Sequence, residues 1–156
     1  MALEKLSSMS LFRHLDEDEL NIMSHFIHKR EYLTGELLFR QATPANAFYM
    51  LCNGTIELYK TLSDGQNDRI RILRPGDTCG MAALWQVRHP YNAQALDPCR
   101  VYVLTAMQFQ EIQDHRLALA QKLLSNLLRE LWQAFDDLQT DYSNLTKKLV
   151  QSNIIV

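Results

Sequence analysis

Between Met107 and Leu149 the chain contains neither glycine nor proline. Within that stretch apolar residues fall at Leu124, Leu128, Leu131, Phe135, Leu138, Tyr142, Leu145 and Leu149, alternately four and three apart. This spacing is the a/d seam of a heptad pattern, and with no helix breaker present it predicts a long C-terminal coiled-coil helix over residues 111–156. A helix of that length projecting from a small domain buries only its root against the domain, so the rest needs a partner. A second copy of the chain is the simplest partner, and the seam therefore predicts a homodimer. A helix of another protein is the alternative.

Residues 1–110 carry a different pattern. Asp16 stands where an N-cap is wanted, acids follow it, and Leu20, Met23, Phe26 and Ile27 share one helical face, which predicts a short helix over 16–28. From Arg30 to Leu104, short segments rich in β-branched and aromatic residues are separated by turn signals at Thr34-Gly35, Asn53-Gly54, Asp64-Gly65 and Pro75-Gly76. Strands are expected over 31–33, 37–40, 47–52, 55–61, 68–73, 93–96 and 99–105. The fold class is mainly β with flanking helices, an antiparallel sandwich or barrel followed by the long helix. All five glycines lie in the β region.

At 156 residues the chain suits one domain with an appended helix. Lys plus Arg number 16 against 18 for Asp plus Glu, and no basic stripe of the kind that neutralises nucleic-acid phosphates is present. The opening MALEKLSSMSLFRHL has no apolar leader and no apolar run approaches a membrane span, which predicts a cytoplasmic protein with no membrane partner. Three cysteines, Cys52, Cys79 and Cys99, match neither a disulfide framework nor a metal motif and read as buried thiols. His25 and His28 lack a third ligand, so no metal is expected. Cys79 and His89 form no recognisable nucleophile–base motif, and none of the hydrolase, metalloprotease or P-loop signatures occurs, so the chain is read as a non-enzyme.

The ordered segments YLTGELLFRQ, FYMLCNGTIELYK, DG, ILRPGDTCG and MAAL, with Gly76 four residues before Gly80, resemble a cyclic-nucleotide-binding domain of the catabolite-activator/fumarate–nitrate regulator family. The resemblance implies an antiparallel β jelly roll, a phosphate-binding cassette formed by a short helix between two strands, and a long C-terminal dimerisation helix. It places a ligand pocket at Gly80, Met81, Ala82, Ala83 and Leu84 and at Arg88, His89, Tyr91, Asn92 and Ala93. The family's cassette has a Glu that accepts from the ribose 2′-hydroxyl and an Arg that pairs with the cyclic phosphate, and here those positions hold Met81 and Tyr91. Each such charge-assisted bond contributes about 1.5–3 kcal/mol, so ordinary cAMP or cGMP binding is expected to be weak or lost. The expectation is a non-enzymatic homodimeric regulatory or sensor domain with a diverged cassette, filled by Met81 and Tyr91 or lined by them for another small ligand. The alternatives are a ligand-free interaction module and a cyclic-nucleotide receptor in which Arg88 replaces the missing arginine. Relatives that regulate transcription continue into a helix-turn-helix domain, which this sequence does not show, so no direct sequence-specific DNA contact is expected.

Overall fold

The computed structural model describes residues 3–152. Two four-stranded antiparallel sheets face one another as a jelly roll. The first has the order β1 (His28–Tyr32), β8 (Cys99–Thr105), β3 (Ala47–Asn53) and β6 (Thr78–Cys79). The second runs β2 (Leu37–Phe39), β7 (Asn92–Ala95), β4 (Ile56–Thr61) and β5 (Asn67–Leu73). Helices α1 (Leu3–Ser7), α2 (Glu17–Phe26), α3 (Ala106–His115) and α4 (Leu117–Gln151) flank the first sheet.

The sequences of the central strands follow from what lies on each face. In β3 the run Ala47-Phe48-Tyr49-Met50-Leu51 is apolar throughout because both faces are covered. Ala47, Tyr49 and Leu51 enter the roll interior with Ile56, Leu58, Leu73 and Val101, whereas Phe48 and Met50 meet the helix-side core of Phe12, Met23, Phe109, Ile112 and Leu123. A sheet buried on both sides loses the alternation that marks a half-solvated strand. In β4, which is covered on one side only, Ile56 and Leu58 are buried and Lys60 is exposed.

Gly54 shows why a turn residue can be irreplaceable. Its φ is +93°, and a Cβ there would stand 2.6 Å from Cys99 Sγ and 2.7 Å from the Pro98 carbonyl. The bend between β3 and β4 thus packs directly on the start of β8.

Helix α2 is capped as the sequence predicts: Glu19 N–H donates to Asp16 Oδ1 at 2.8 Å, and Asp16 N–H donates to Glu19 Oε2 at 2.9 Å. The helix stops at Phe26 rather than 28, and β1 begins at His28 rather than 31, because His28–Tyr32 pairs residue for residue with 99–103 of β8. The two-residue β6 and the 3-10 turn at Ser10–Phe12 are too short to leave a periodic trace.

The C-terminal segment is not one helix. It breaks at Arg116, whose φ of −142° and ψ of 60° separate α3 from α4 without glycine or proline. Phe109, Ile112, Leu119, Ala120 and Leu123 all belong to the helix-side core. Their spacing continues in helical phase across Arg116, so the sequence carries no sign of the bend. The bend itself is tertiary, since it lets both helices reach one small core. After Leu127 no α4 side chain is fully buried, and 35 residues at 1.5 Å each make a rod about 52 Å long. Its root is clamped to the N-terminal segment. Asn126 Nδ2 donates to the carbonyls of Leu11 (2.8 Å) and Arg13 (2.7 Å), and Lys122 Nζ pairs with Glu19 Oε2 at 2.7 Å.

Candidate functional site

The cassette region starts where β6 leaves β3. Gly80 takes φ +87° and ψ 21°, and a Cβ there would lie 2.5 Å from the Ala47 carbonyl, so the turn is closed to any other residue without a shift of β3. Met81–Leu84 then form a single 3-10 turn. The segment after it runs beside 42–45: Ala45 N–H donates to Val87 O (2.9 Å), His89 N–H to Thr43 O (2.9 Å) and Ala42 N–H to His89 O (2.8 Å).

The ten residues singled out by sequence do not converge. Met81, Ala82, Ala83 and Leu84 pack against the helix-side core. Tyr91 and Ala93 belong to the roll interior on the other side of the sheet. The two substituted positions therefore do not fill one pocket together, as the sequence reading supposed. Met81 closes the cassette onto the helices, and Tyr91 alone enters the roll.

His89 and Arg88 point opposite ways. His89 is 3% exposed and stacks on Phe39 with ring centroids 3.8 Å apart at 8°. Its Nδ1 is buried without a partner, and burial holds the imidazole below its usual pKa, so the ring is neutral. Arg88 is exposed and donates from Nη1 to the Ala42 carbonyl, so its guanidinium stays outside the roll. Asn92 is buried and structural: its Oδ1 accepts from Gln41 N–H at 2.9 Å and its Nδ2 donates to Thr61 Oγ1 at 3.2 Å.

Aromatic rings occupy the interior beside the cassette. Phe39 meets Tyr49 at 5.5 Å and Tyr91 at 5.9 Å, and Tyr32 belongs to the same cluster. Burial pushes the Tyr91 hydroxyl up to about 12; Cys79 acts in the same direction and Arg71 against it. Burial likewise raises Cys79 far above an ordinary thiol. Neither group is charged at neutral pH.

The cation that the sequence reading missed is Arg71. In the β4–β5 ladder it stands opposite Leu58, whose side chain is buried in the roll, so Arg71 lies on the inner face at its edge. Its charge acts on Tyr91, Cys79, Asp77 and Glu130, and its Nη2 lies 3.8 Å from Asp77 Oδ1. Glu130 on α4 accepts a hydrogen bond from Ser10, whose hydroxyl lies 3.2 Å from Thr78 Oγ1. Burial raises the Glu130 carboxyl, those two hydroxyls lower it, and Asp77 and Arg71 oppose each other. This cluster joins the base of the cassette to the root of α4. Ser10, Thr78 and Glu130 come from three distant segments, so nothing in the sequence pointed to this cluster.

The predicted seam lies on one side of α4. Leu124 packs partly against the core, Leu128, Leu131, Phe135, Leu138, Tyr142 and Leu145 are exposed, and Leu149 is half-buried. The buried positions Leu119, Leu123, Asn126 and Leu127 form a neighbouring face, so the body and the seam do not compete for the same side chains. Among the described residues no group of three or more metal-ligating side chains is gathered, and no helix is long and apolar enough to cross a membrane. His25 lies on α2 and His28 on β1.

Comparison with known proteins agrees with this architecture. The chain is 30% identical over 122 residues to the nitrogen fixation regulation protein FixK of Bradyrhizobium diazoefficiens, covering 78% of this chain and 51% of that protein. It is 24% identical over 124 residues to the potassium channel SKOR of Arabidopsis thaliana, covering 79% and 15%. The chain thus spans from about one seventh to about one half of these relatives' lengths. Among solved structures, the catabolite activator protein of Thermus thermophilus superposes with a TM-score of 0.72 at 25% identity, covering 86% of this chain and 63% of that one. The N-terminal domain of a transcriptional regulator from Streptomyces coelicolor gives 0.73 at 21%, covering 85% and 95%. The family model for the cyclic nucleotide-binding domain matches residues 29–116, more than half of the chain. Jelly roll, cassette turn and C-terminal helix in this order, together with that match, make the chain a member of the cyclic nucleotide-binding domain family, with homologues among the catabolite-activator and fumarate–nitrate regulators.

Proposed function

We propose that this domain is a homodimeric, non-enzymatic regulatory module of the cytoplasm, whose cassette has given up ordinary cyclic-nucleotide binding and whose output passes through α4. The observation that carries this reading is the exposed seam from Leu128 to Leu145 on a helix whose root is tied to the cassette base through Glu130, Ser10 and Thr78. Six large apolar side chains on one face of a projecting rod need cover, and a second copy of the rod gives knobs-into-holes packing along the same a/d spacing. Tyr91 and its aromatic neighbours support the loss of nucleotide binding. They fill the interior with neutral rings, and no carboxylate stands at Met81.

The test combines light scattering with thermal shift on the intact chain. A dimer at micromolar concentration, converted to monomer by Leu131→Asp, supports the module, and a wild-type monomer refutes it. A ligand at 100 times its dissociation constant raises stability by about 2.7 kcal/mol, so the absence of any shift with millimolar cAMP, cGMP or cyclic dinucleotides supports the diverged cassette. If Leu131→Asp abolishes self-association while a partner protein is still captured, that partner uses another face.

Arg71 favours a second reading, in which the roll still holds a cyclic phosphate weakly. A saturable shift with cAMP that disappears in Arg71→Gln supports it, and one that survives Arg71→Gln but disappears in Arg88→Gln returns the role to Arg88.

A further inference from the structure

We propose that the end of the roll beside α3, bordered on one side by the segment that follows the cassette turn, binds a small amphiphilic anion with Arg30 as its counter-ion. A cleft of about 560 Å³ opens there, within the range of small-molecule sites. Ala45, Ala47, Val103 and Ala106 give it small and apolar walls, and Met107 stands at its edge, 84% exposed. His28 and Arg30 enter from the inner face of β1, where they sit opposite Val103 and Val101 in the ladder with β8. No Asp or Glu lines the cleft.

Arg30 is uncommitted in a way the other inward cation is not. Arg71 has Asp77 and Glu130 beside it, whereas Arg30 forms no ion pair among the described residues and rests its guanidinium 5.6 Å from the centroid of the Tyr32 ring. Tyr32 itself is 8% exposed, and its hydroxyl is buried without a hydrogen-bond partner. Within this cleft an unpaired cation beside apolar walls free of acids matches an anionic head group on a short apolar body, whereas Tyr32 lines a separate hollow with Glu31 and Glu36 on the other side of Arg30. The rim is held in a strained shape: Gln86, which lines the cleft, takes φ +51°. None of these residues belongs to the seam, so the site does not depend on dimerisation.

The probes are octanoate and octyl phosphate, with 1-octanol as the neutral control, followed by amide shifts in the ¹H–¹⁵N spectrum of the full chain. Saturable shifts centred on residues 45–47, 86, 103 and 105–107 are expected with an anion, and the tighter of the two anions identifies the head group. Arg30→Gln, at an exposed position, should weaken anion binding roughly tenfold or more while leaving octanol unchanged. Met107→Glu places a like charge at the rim without touching the core and should weaken it too. The proposal is overturned by anion binding undiminished in Arg30→Gln, by shifts centred on α4, or by no saturable shift at millimolar anion.

Discussion

Gly80 sets the geometry of the cassette more firmly than the residues that follow it. A methyl at this position meets the Ala47 carbonyl at 2.5 Å and forces a left-handed φ on an L-residue, so Gly80→Ala should cost about 2 kcal/mol or more. The urea midpoint should drop while the slope of the transition stays constant; an unshifted midpoint would mean that β3 yields freely. His89 makes a different prediction. Its folded pKa lies below the value of the unfolded chain, so the unfolded state takes up a proton first as the pH falls, and stability is lost between the unfolded and the folded pKa. His89→Phe keeps an aromatic stack on Phe39 and removes both the orphaned Nδ1 and that proton. Its denaturation midpoint should therefore fall less than that of the wild type between about pH 7 and pH 5.5, and equal falls would assign the slope to other groups.

At the level of elements, α4 divides into a root and a lever. The root depends on Asn126, whose amide satisfies two backbone carbonyls at once, and Asn126→Ala should destabilise by about 1–3 kcal/mol because those carbonyls lose their donor. Differential scanning calorimetry would measure it. Glu130, one turn further along, works in the opposite pH direction to His89. Its carboxyl is raised in the folded state, so its contribution is greatest below the ordinary carboxylate pKa and is lost as the pH rises through the folded value. Glu130→Gln can still accept from Ser10 without ionising. The variant should therefore lack this loss, which a stability curve from about pH 4 to pH 7 would reveal. Among the described residues the lever makes no hydrogen bond to the body, although Leu131, Phe135 and Leu138 share a cleft with Ile70 and Arg71 of β5. Leu131 is 48% exposed, so Leu131→Asp should leave the midpoint of a dilute, monomeric sample within about 0.5 kcal/mol of wild type while abolishing self-association.

For the whole molecule, the two sheets enclose one core, the helices and the first sheet enclose another, and the cassette lies across the boundary between them. This explains why Met81 and Tyr91, read as a pair in the sequence, separate in space. Local chemistry determined a great deal. The N-cap at Asp16, the turn glycines, the β-rich segments and the heptad spacing of 124–149 each depend on residues close in the chain, so local residue type and short periods disclosed them. The sequence by itself also determined that the seam is apolar and that the cassette positions Met81 and Tyr91 carry no charge. Only the tertiary structure decided that the helix bends at Arg116, that Arg88 faces outward, that Arg71 faces inward, and that Glu130 joins α4 to Ser10 and Thr78. The physical reason is that these outcomes depend on contacts between residues as much as 120 positions apart, where neither spacing nor propensity carries information and only the closed core fixes which side chains meet.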